Sequence, residues 1–397
     1  MLNILFDLIT TQLSFGGGSE YTRKVFYNLN DRISSQNLDI QLIGVIDSSI
    51  KSFQYPDLTP KALSKKGIKV LDIENESIKD LVHNNRINKI FIGVLQFWAE
   101  RYSLSNIDCE IITIIHDMHD EEMENIKLYP YLAFFRSPYA VIRQFIAIAL
   151  KRFKRDILKK REKLSIMIDS LRTNEEWKCI TVSEYTKHAL MYYYNVPQAK
   201  ISVLYSPERI MYCTGNVENT SLRDIIDRNI RYYLIVSANR PEKNALRTVK
   251  VFLRYRQFLS TNSSLRLPYI VTLGLKRSLG TGHISLPLLS ESDLALAYKN
   301  CYALIYPSFF EGFGYPPVEA MKFGKPVLAS NVTSIPEILG NAPIYFSPFF
   351  KSDIFRSLCR LNDENYKEYS QQSKSRYNIL NERQKQDLDA LIKIIVE

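Results

Sequence analysis

The strongest constraint on the fold is an alternation. Short apolar runs at 2–7, 40–46, 89–94, 111–115 and 179–182 are separated by stretches of helical periodicity such as 21–33 and 186–194. Runs this short and this apolar read as strands buried on both faces, and the helices between them serve as crossovers in a parallel sheet. The pattern then restarts at YYLIVSA, 232–238, and continues through 269–274, 303–307, 325–330 and 343–346. Two such series predict two doubly wound, Rossmann-like α/β domains. Between them, SPERIMYCTGNVENTSLRDIIDRN is polar and lacks long apolar runs. The expected division is a first domain at 1–210, a linker at 211–231, a second domain at 232–374 and a terminal helix at 375–397. In sheets of this kind ligands bind beyond the carboxyl ends of the strands, so two facing domains would form a cleft between them.

Charge narrows the partners. There are 52 Lys and Arg against 42 Asp and Glu, a formal net charge of +10. That balance suits phosphorylated substrates, anionic lipid or nucleic acid. The five cysteines are scattered and odd in number, with no CxxC pair, which speaks against a disulfide framework or a Cys-ligated zinc and for a reducing cytoplasm. The first residues, MLNILFDLIT, carry no basic leader, and no window is long and apolar enough for a membrane span.

Three loops carry candidate chemistry. After the first strand, Gly16, Gly17 and Gly18 precede a helix, where bare backbone can approach a ligand and unpaired N–H groups can meet an anion. The sequence is neither a GxGxxG fingerprint nor a Walker loop, and a plain turn is the competing reading. After strand 232–238, Arg240 and Lys243 lie in SANRPEKN, where a planar fork and a point charge can clamp a diphosphate. After strand 303–307 comes EGFGYPPVE, with Glu311 and Glu319 eight positions apart and Gly312, Phe313 and Gly314 between them. Pro317 fits the opening turn of a helix, which predicts Glu319 in that first turn, ionised beside the helix dipole and shaped to accept from a vicinal diol.

E-G-F-G-x-P-x-x-E followed by A-M-x-x-G-x-P-V resembles the EX7E signature of retaining glycosyltransferases of family four, which have the GT-B fold. RPEKN resembles that family's diphosphate-binding Arg/Lys loop, GGGSEYTRKV its glycine loop, and ITIIHDMHD the segment with its His-Asp pair, here His116 and Asp117. Two places depart from the pattern: YSPE stands after residue 204 in place of an Asn-Gly turn, and SANRPEKN lacks the usual glycine. The resemblance implies transfer of a hexosyl group from a nucleotide diphosphate sugar to a glycan acceptor, with retention and without a metal or other cofactor. GDP-mannose, a UDP-hexose or a dTDP-sugar would serve as donor, and a lipid-linked glycan in surface polysaccharide synthesis as acceptor. It assigns the ribose to Glu319, the diphosphate to Arg240 and Lys243, backbone donors to Gly312, Phe313 and Gly314, and sugar hydroxyls to Glu311. His116 would approach the sugar from the first domain, and the terminal helix would return to that domain.

Residues 128–171 stand apart. An aromatic, apolar stretch leads into KRFKRDILKKREK, eight Lys or Arg in thirteen residues. Ile142, Ile146, Leu150, Phe153 and Ile157 recur at helical spacing, as in a basic amphipathic helix lying on an anionic membrane. The expected location is therefore cytoplasmic and peripheral on the inner face of the cell membrane; a core-packed helix is the alternative. The rival functions are another enzyme on the same fold, such as a nucleotide-sugar epimerase or phosphorylase, and a non-catalytic basic partner of membrane or nucleic acid. No nucleic-acid reader motif accompanies the basic run, so nucleic acid is not expected as a partner.

Overall fold

The computed structural model describes residues 1–12, 16–74, 76–122, 140–209, 211, 217–262 and 267–397, with backbone only for 140–154 and 262. It divides into two compact units. The first comprises Met1–Glu121, Arg143–Glu208 and Arg383–Glu397; the second is built chiefly from Arg209–Glu382.

The first unit holds β1 (Leu2–Asp7), β2 (Ile40–Ile46), β3 (Lys69–Asp72), β4 (Lys89–Ile92), β5 (Glu110–Ile115), β6 (Trp177–Thr181) and β7 (Ile201–Val203). They form one parallel sheet in the order β3-β2-β1-β4-β5-β6-β7. The second unit holds β8 (Tyr232–Ile235), β9 (Tyr269–Leu273), β10 (His283–Leu286), β11 (Ala303–Tyr306), β12 (Val327–Ser330) and β13 (Ile344–Phe346). Its sheet is also parallel, in the order β10-β9-β8-β11-β12-β13. The expected pair of Rossmann-like domains is therefore present. Three strands went unread in the sequence: β3, β7 and β10. Each is a short sheet edge with part-exposed residues, and none carries a continuous apolar run.

Strand order reverses between β1 and β4 in one sheet and between β8 and β11 in the other. The crevice outside the carboxyl ends at such a reversal is where doubly wound sheets bind ligands. In the second unit those two strands lead into the loops that carry Arg240 and Lys243, and Glu311.

The stretch read as a linker contains the helix Thr220–Asp227, with Leu222 and Ile225 buried. Its entry is fixed by Asp293, 2% exposed, whose carboxylate accepts from the backbone N–H groups of Glu218 at 3.0 Å and Asn219 at 2.8 Å. Asp293→Ala strands two N–H groups beside the core and is expected to cost about 1–3 kcal/mol of stability. An unchanged urea midpoint would contradict that.

The helix Ala140–Arg172 confirms the helical periodicity of the basic segment. Toward its end Leu164, Met167, Ile168 and Leu171 are buried in the core of the first unit. Residues 123–139, and the side chains of Ile142, Ile146, Leu150 and Phe153, lie outside the described residues, and Ile157 is half-buried. Among the described residues no helix is long and apolar enough to cross a membrane. The last helix, Tyr366–Val396, begins before residue 375, and its final turns from Arg383 are counted with the first unit. There Leu391, Ile392 and Ile395 are buried, and Asp387 accepts from the Tyr205 N–H at 2.8 Å.

Candidate active site

In the second unit, β8 ends in a tight turn. Ser237 adopts φ 52°, the left-handed conformation that a glycine would take without strain. The family resemblance leads one to expect a glycine there, and the serine keeps the turn. The short helix Pro241–Lys243 follows, and Asn244, also left-handed at φ 52°, passes the chain into the helix Ala245–Asn262. Lys243 is thereby turned inward and is 6% exposed. Its Nζ pairs with Glu311 Oε1, which also accepts from Ser308 Oγ. The Glu311 main chain is anchored on both sides: its N–H donates to Thr333 Oγ1 at 3.1 Å, and its carbonyl accepts from Ser334 Oγ at 2.9 Å. Burial, the largest single influence, would raise the Glu311 pKa; the Lys243 ammonium together with the Ser308 and Tyr306 hydroxyls outweighs it and holds the carboxyl below its ordinary value. Glu311 is therefore a rigid, ionised acceptor at neutral pH.

Arg240 is more exposed and pairs with Glu242, Nε to Oε1 at 2.5 Å. Two cations and two carboxylates thus alternate within one loop pair. The sequence reading named Arg240, Lys243 and Glu311 and missed Glu242, whose carbonyl also accepts the Phe309 N–H at 2.9 Å and joins the two loops.

Glu319 departs from its expected place. The helix is Tyr315–Lys322, capped by Gly314 at φ 87°, with prolines at its second and third positions. Glu319 is its fifth residue, in the second turn, and the first turn carries no acid. The dipole argument therefore loses most of its force, since that effect fades beyond the first turn. Side chains hold the carboxylate instead: Tyr298 Oη donates to Oε2 at 2.7 Å, and Arg209 Nη1 lies 3.5 Å from Oε1. Glu319 is 5% exposed. Neither partner was foreseen: Arg209 sits near the start of the polar stretch between the two strand series, and Tyr298 is one of 25 tyrosines with no distinguishing spacing. Gly312 and Phe313, also buried, lie in the loop between the two glutamates.

The remaining candidates belong to the first unit. Gly16 caps the helix Gly17–Ser35 in extended conformation. A Cβ on Gly18 would come within 2.7 Å of Val94 Cγ2 and 3.7 Å of His116 Nε2, so that glycine serves close packing beside His116. His116 Nε2 lies 2.9 Å from the Gly93 carbonyl; a carbonyl only accepts, which places the proton on Nε2. Burial lowers the His116 pKa and keeps the ring neutral. Asp117 accepts the His119 N–H at 3.0 Å, and His119 Nδ1 is 3.3 Å from Asp120 Oδ1. Among the described residues no three His, Cys, Asp or Glu side chains gather as a metal site would need.

Sequence comparisons point to one family. Residues 269–348, which include both glutamates, match the family model described as glycosyl transferases group 1. The O-antigen chain mannosyltransferase RfbU of Salmonella typhimurium is 33% identical over 183 residues, 43% of this chain and 46% of that protein. The O-antigen chain mannosyltransferase B of Escherichia coli is 29% identical over 188 residues, again 43% of this chain and 47% of that protein. The aligned part thus spans about half the length of these curated relatives. Two solved structures show the same fold: a glycosyltransferase from Rickettsia africae (TM-score 0.60, 14% identity, 99% of this chain and 98% of that one) and Anabaena HepE in complex with UDP and glucose (TM-score 0.61, 12% identity, 98% and 99%). WaaG, titled a glycosyltransferase involved in lipopolysaccharide biosynthesis, superposes at TM-score 0.58 and 11% identity over 98% of this chain and 99% of that one. The fold is GT-B.

Proposed function

Since its second half carries the group 1 glycosyl transferase segment, we propose that this chain transfers a hexosyl group, with retention, from a nucleotide diphosphate sugar to a glycan acceptor. The observation that carries the proposal is the buried Lys243–Glu311 pair at the strand-order reversal between β8 and β11. Burying a matched pair of charges contributes little stability by itself, because desolvation consumes most of the attraction. A bound ligand that uses both signs gives the arrangement a purpose.

In this reading the diphosphate lies over the two loops. Lys243 and the exposed Arg240 meet its charge, which grows as the sugar–phosphate bond breaks, so their stabilisation is greatest in the transition state. No metal or other cofactor takes part. Glu311, ionised and immobile, accepts from sugar hydroxyls and orients the anomeric carbon. Glu319 accepts from the ribose diol. The leaving phosphate oxygen takes the acceptor's proton as the new glycosidic bond forms on the same face. His116, neutral with its proton on Nε2, is assigned to the donor sugar, and Gly16, Gly17 and Gly18 to the glycine loop beside it. The names of the two mannosyltransferase relatives favour a mannosyl donor and an acceptor in surface polysaccharide assembly. A lipid-linked acceptor and attachment to the inner membrane face through the basic segment at 128–171 belong to the same proposal and rest on sequence alone.

A thermal-shift series with GDP, UDP, dTDP and their sugars tests it. Ligand at 100 times its Kd stabilises by about 2.7 kcal/mol. One nucleotide family is expected to shift the transition of the whole chain, and Glu319→Ala to abolish that shift. No shift with any of them would remove the basis of the proposal.

A further inference from the structure

We propose that Tyr306 is a ligand-contacting residue of the same site, its phenol donating a hydrogen bond to the sugar-bearing phosphate of the donor. The inference rests on the donor reading above and extends it to a residue that the sequence did not suggest.

Tyr306 is the last residue of β11 and is 2% exposed. Its hydroxyl meets no protein acceptor or donor at full hydrogen-bond geometry, although a buried phenol ordinarily finds a partner; the Glu311 carboxylate is the one acceptor near enough to draw on its proton. The surroundings are those of the proposed donor site. Lys243 Nζ stands 5.4 Å from the centre of the Tyr306 ring. The Glu311 carboxylate is close enough to act on the hydroxyl electrostatically. A Cβ added to Gly314 would lie 3.5 Å from the hydroxyl oxygen, which puts that oxygen directly beneath the cap of the helix Tyr315–Lys322.

That helix explains why a side-chain donor is needed. A helix start usually offers an anion several unpaired N–H groups. Here Pro316 and Pro317 fill the second and third positions and have no N–H to give. Two donors are missing where a phosphate would lie, and one buried hydroxyl with no partner at full hydrogen-bond geometry sits under the same cap. Burial and the nearby Glu311 raise the Tyr306 pKa well above its ordinary value, so the phenol keeps its proton and can act as a donor.

Tyr306→Phe removes only the oxygen. Binding of nucleoside diphosphate and monophosphate is measured by calorimetry on the wild-type chain and the variant, with the base chosen by the thermal-shift series, alongside kcat and KM for the nucleotide sugar. A hydrogen bond to a charged group is worth about 1.5–3 kcal/mol, so the diphosphate is expected to bind about ten- to a hundredfold more weakly to the variant. Monophosphate affinity should be unchanged, since that ligand lacks the phosphate in question. Equal diphosphate affinity in variant and wild type would overturn the assignment of Tyr306 and leave the donor reading standing. A proportional loss for both nucleotides would also overturn it, pointing to a packing role. Failure of the wild type to bind any nucleotide would overturn the donor reading itself, and this assignment with it.

Discussion

Lys243→Met is expected to reduce donor turnover by about a hundred- to a thousandfold, the usual cost of losing one preorganised charge-stabilising donor, and to destabilise the chain as well. Both partners of the ion pair are shielded, with side-chain exposures of 8% and 12%. Removing one leaves the other charged and buried, which typically costs about 3–5 kcal/mol. The pH dependence carries a definite sign. In the wild type the Glu311 pKa lies below its unfolded value of about 4.3, because Lys243 and the Ser308 and Tyr306 hydroxyls together outweigh burial. Its contribution to stability is therefore complete above the unfolded pKa and is lost as pH falls through the folded one. Without Lys243, burial, the largest single influence, is opposed only by the Ser308 and Tyr306 hydroxyls, and burial raises the pKa. The variant then gains relative stability as pH falls from 7 toward the unfolded value of about 4.3, a range in which the wild-type contribution of Glu311 is flat; the wild-type loss follows only below about 4.3. Urea denaturation at pH 7, about 5 and about 3.5 separates the two. Adding Glu311→Gln to Lys243→Met should recover stability without recovering turnover. Parallel pH profiles for wild type and Lys243→Met, with comparable turnover, would refute the account of the pair.

Gly93→Ala is the second large effect, and it acts through packing. A Cβ at this position would sit 1.9 Å from Thr22 Oγ1 and 2.8 Å from Thr22 Cβ and Cγ2. Thr22 lies on the helix Gly17–Ser35, and its hydroxyl donates to the Gly18 carbonyl at 2.8 Å. The clash therefore pushes on the glycine loop itself. Gly93 also ties three strand ends together. Its N–H donates to the buried Asp7 carboxylate at 3.0 Å, and its carbonyl holds His116. Overpacking of this kind costs about 3 kcal/mol where nothing can yield. A lowered melting temperature and displaced His116 are expected together, with the His116 ring resonances in NMR as the local readout. Thr22→Ala placed beside Gly93→Ala removes the two nearest movable atoms, Oγ1 and Cγ2, and should restore part of both. A single variant that melts and titrates like wild type would show that the helix shifts at little cost.

Much of the site was legible because its parts are local. A Gly-rich loop after a strand, a Pro-marked helix start and an Arg-x-x-Lys loop each declare their geometry within a few residues. The partners that complete the site are distant in sequence. Glu319 is fixed by Tyr298 and Arg209, 21 and 110 positions away, and no spacing rule links them. The same distance accounts for the error over Glu319. Two prolines mark a helix start, but which residue becomes the first helical one depends on how Gly314 turns over Tyr306. The helix began at Tyr315, which moved the carboxylate out of the first turn.

Sequence alone determined the two parallel α/β series, since strands buried on both faces must be short and apolar and crossovers must be periodic. It also determined the loops at the strand ends, since glycine, proline and charge act on the neighbouring backbone. Tertiary structure decided three of the four sheet edges, where short, part-exposed strands carry no continuous apolar run. It also decided which charge faces which, because pairing across loops depends on strand order. The Lys243–Glu311 contact exists because β8 and β11 lie side by side, and adjacency in a sheet is a property of the assembled chain.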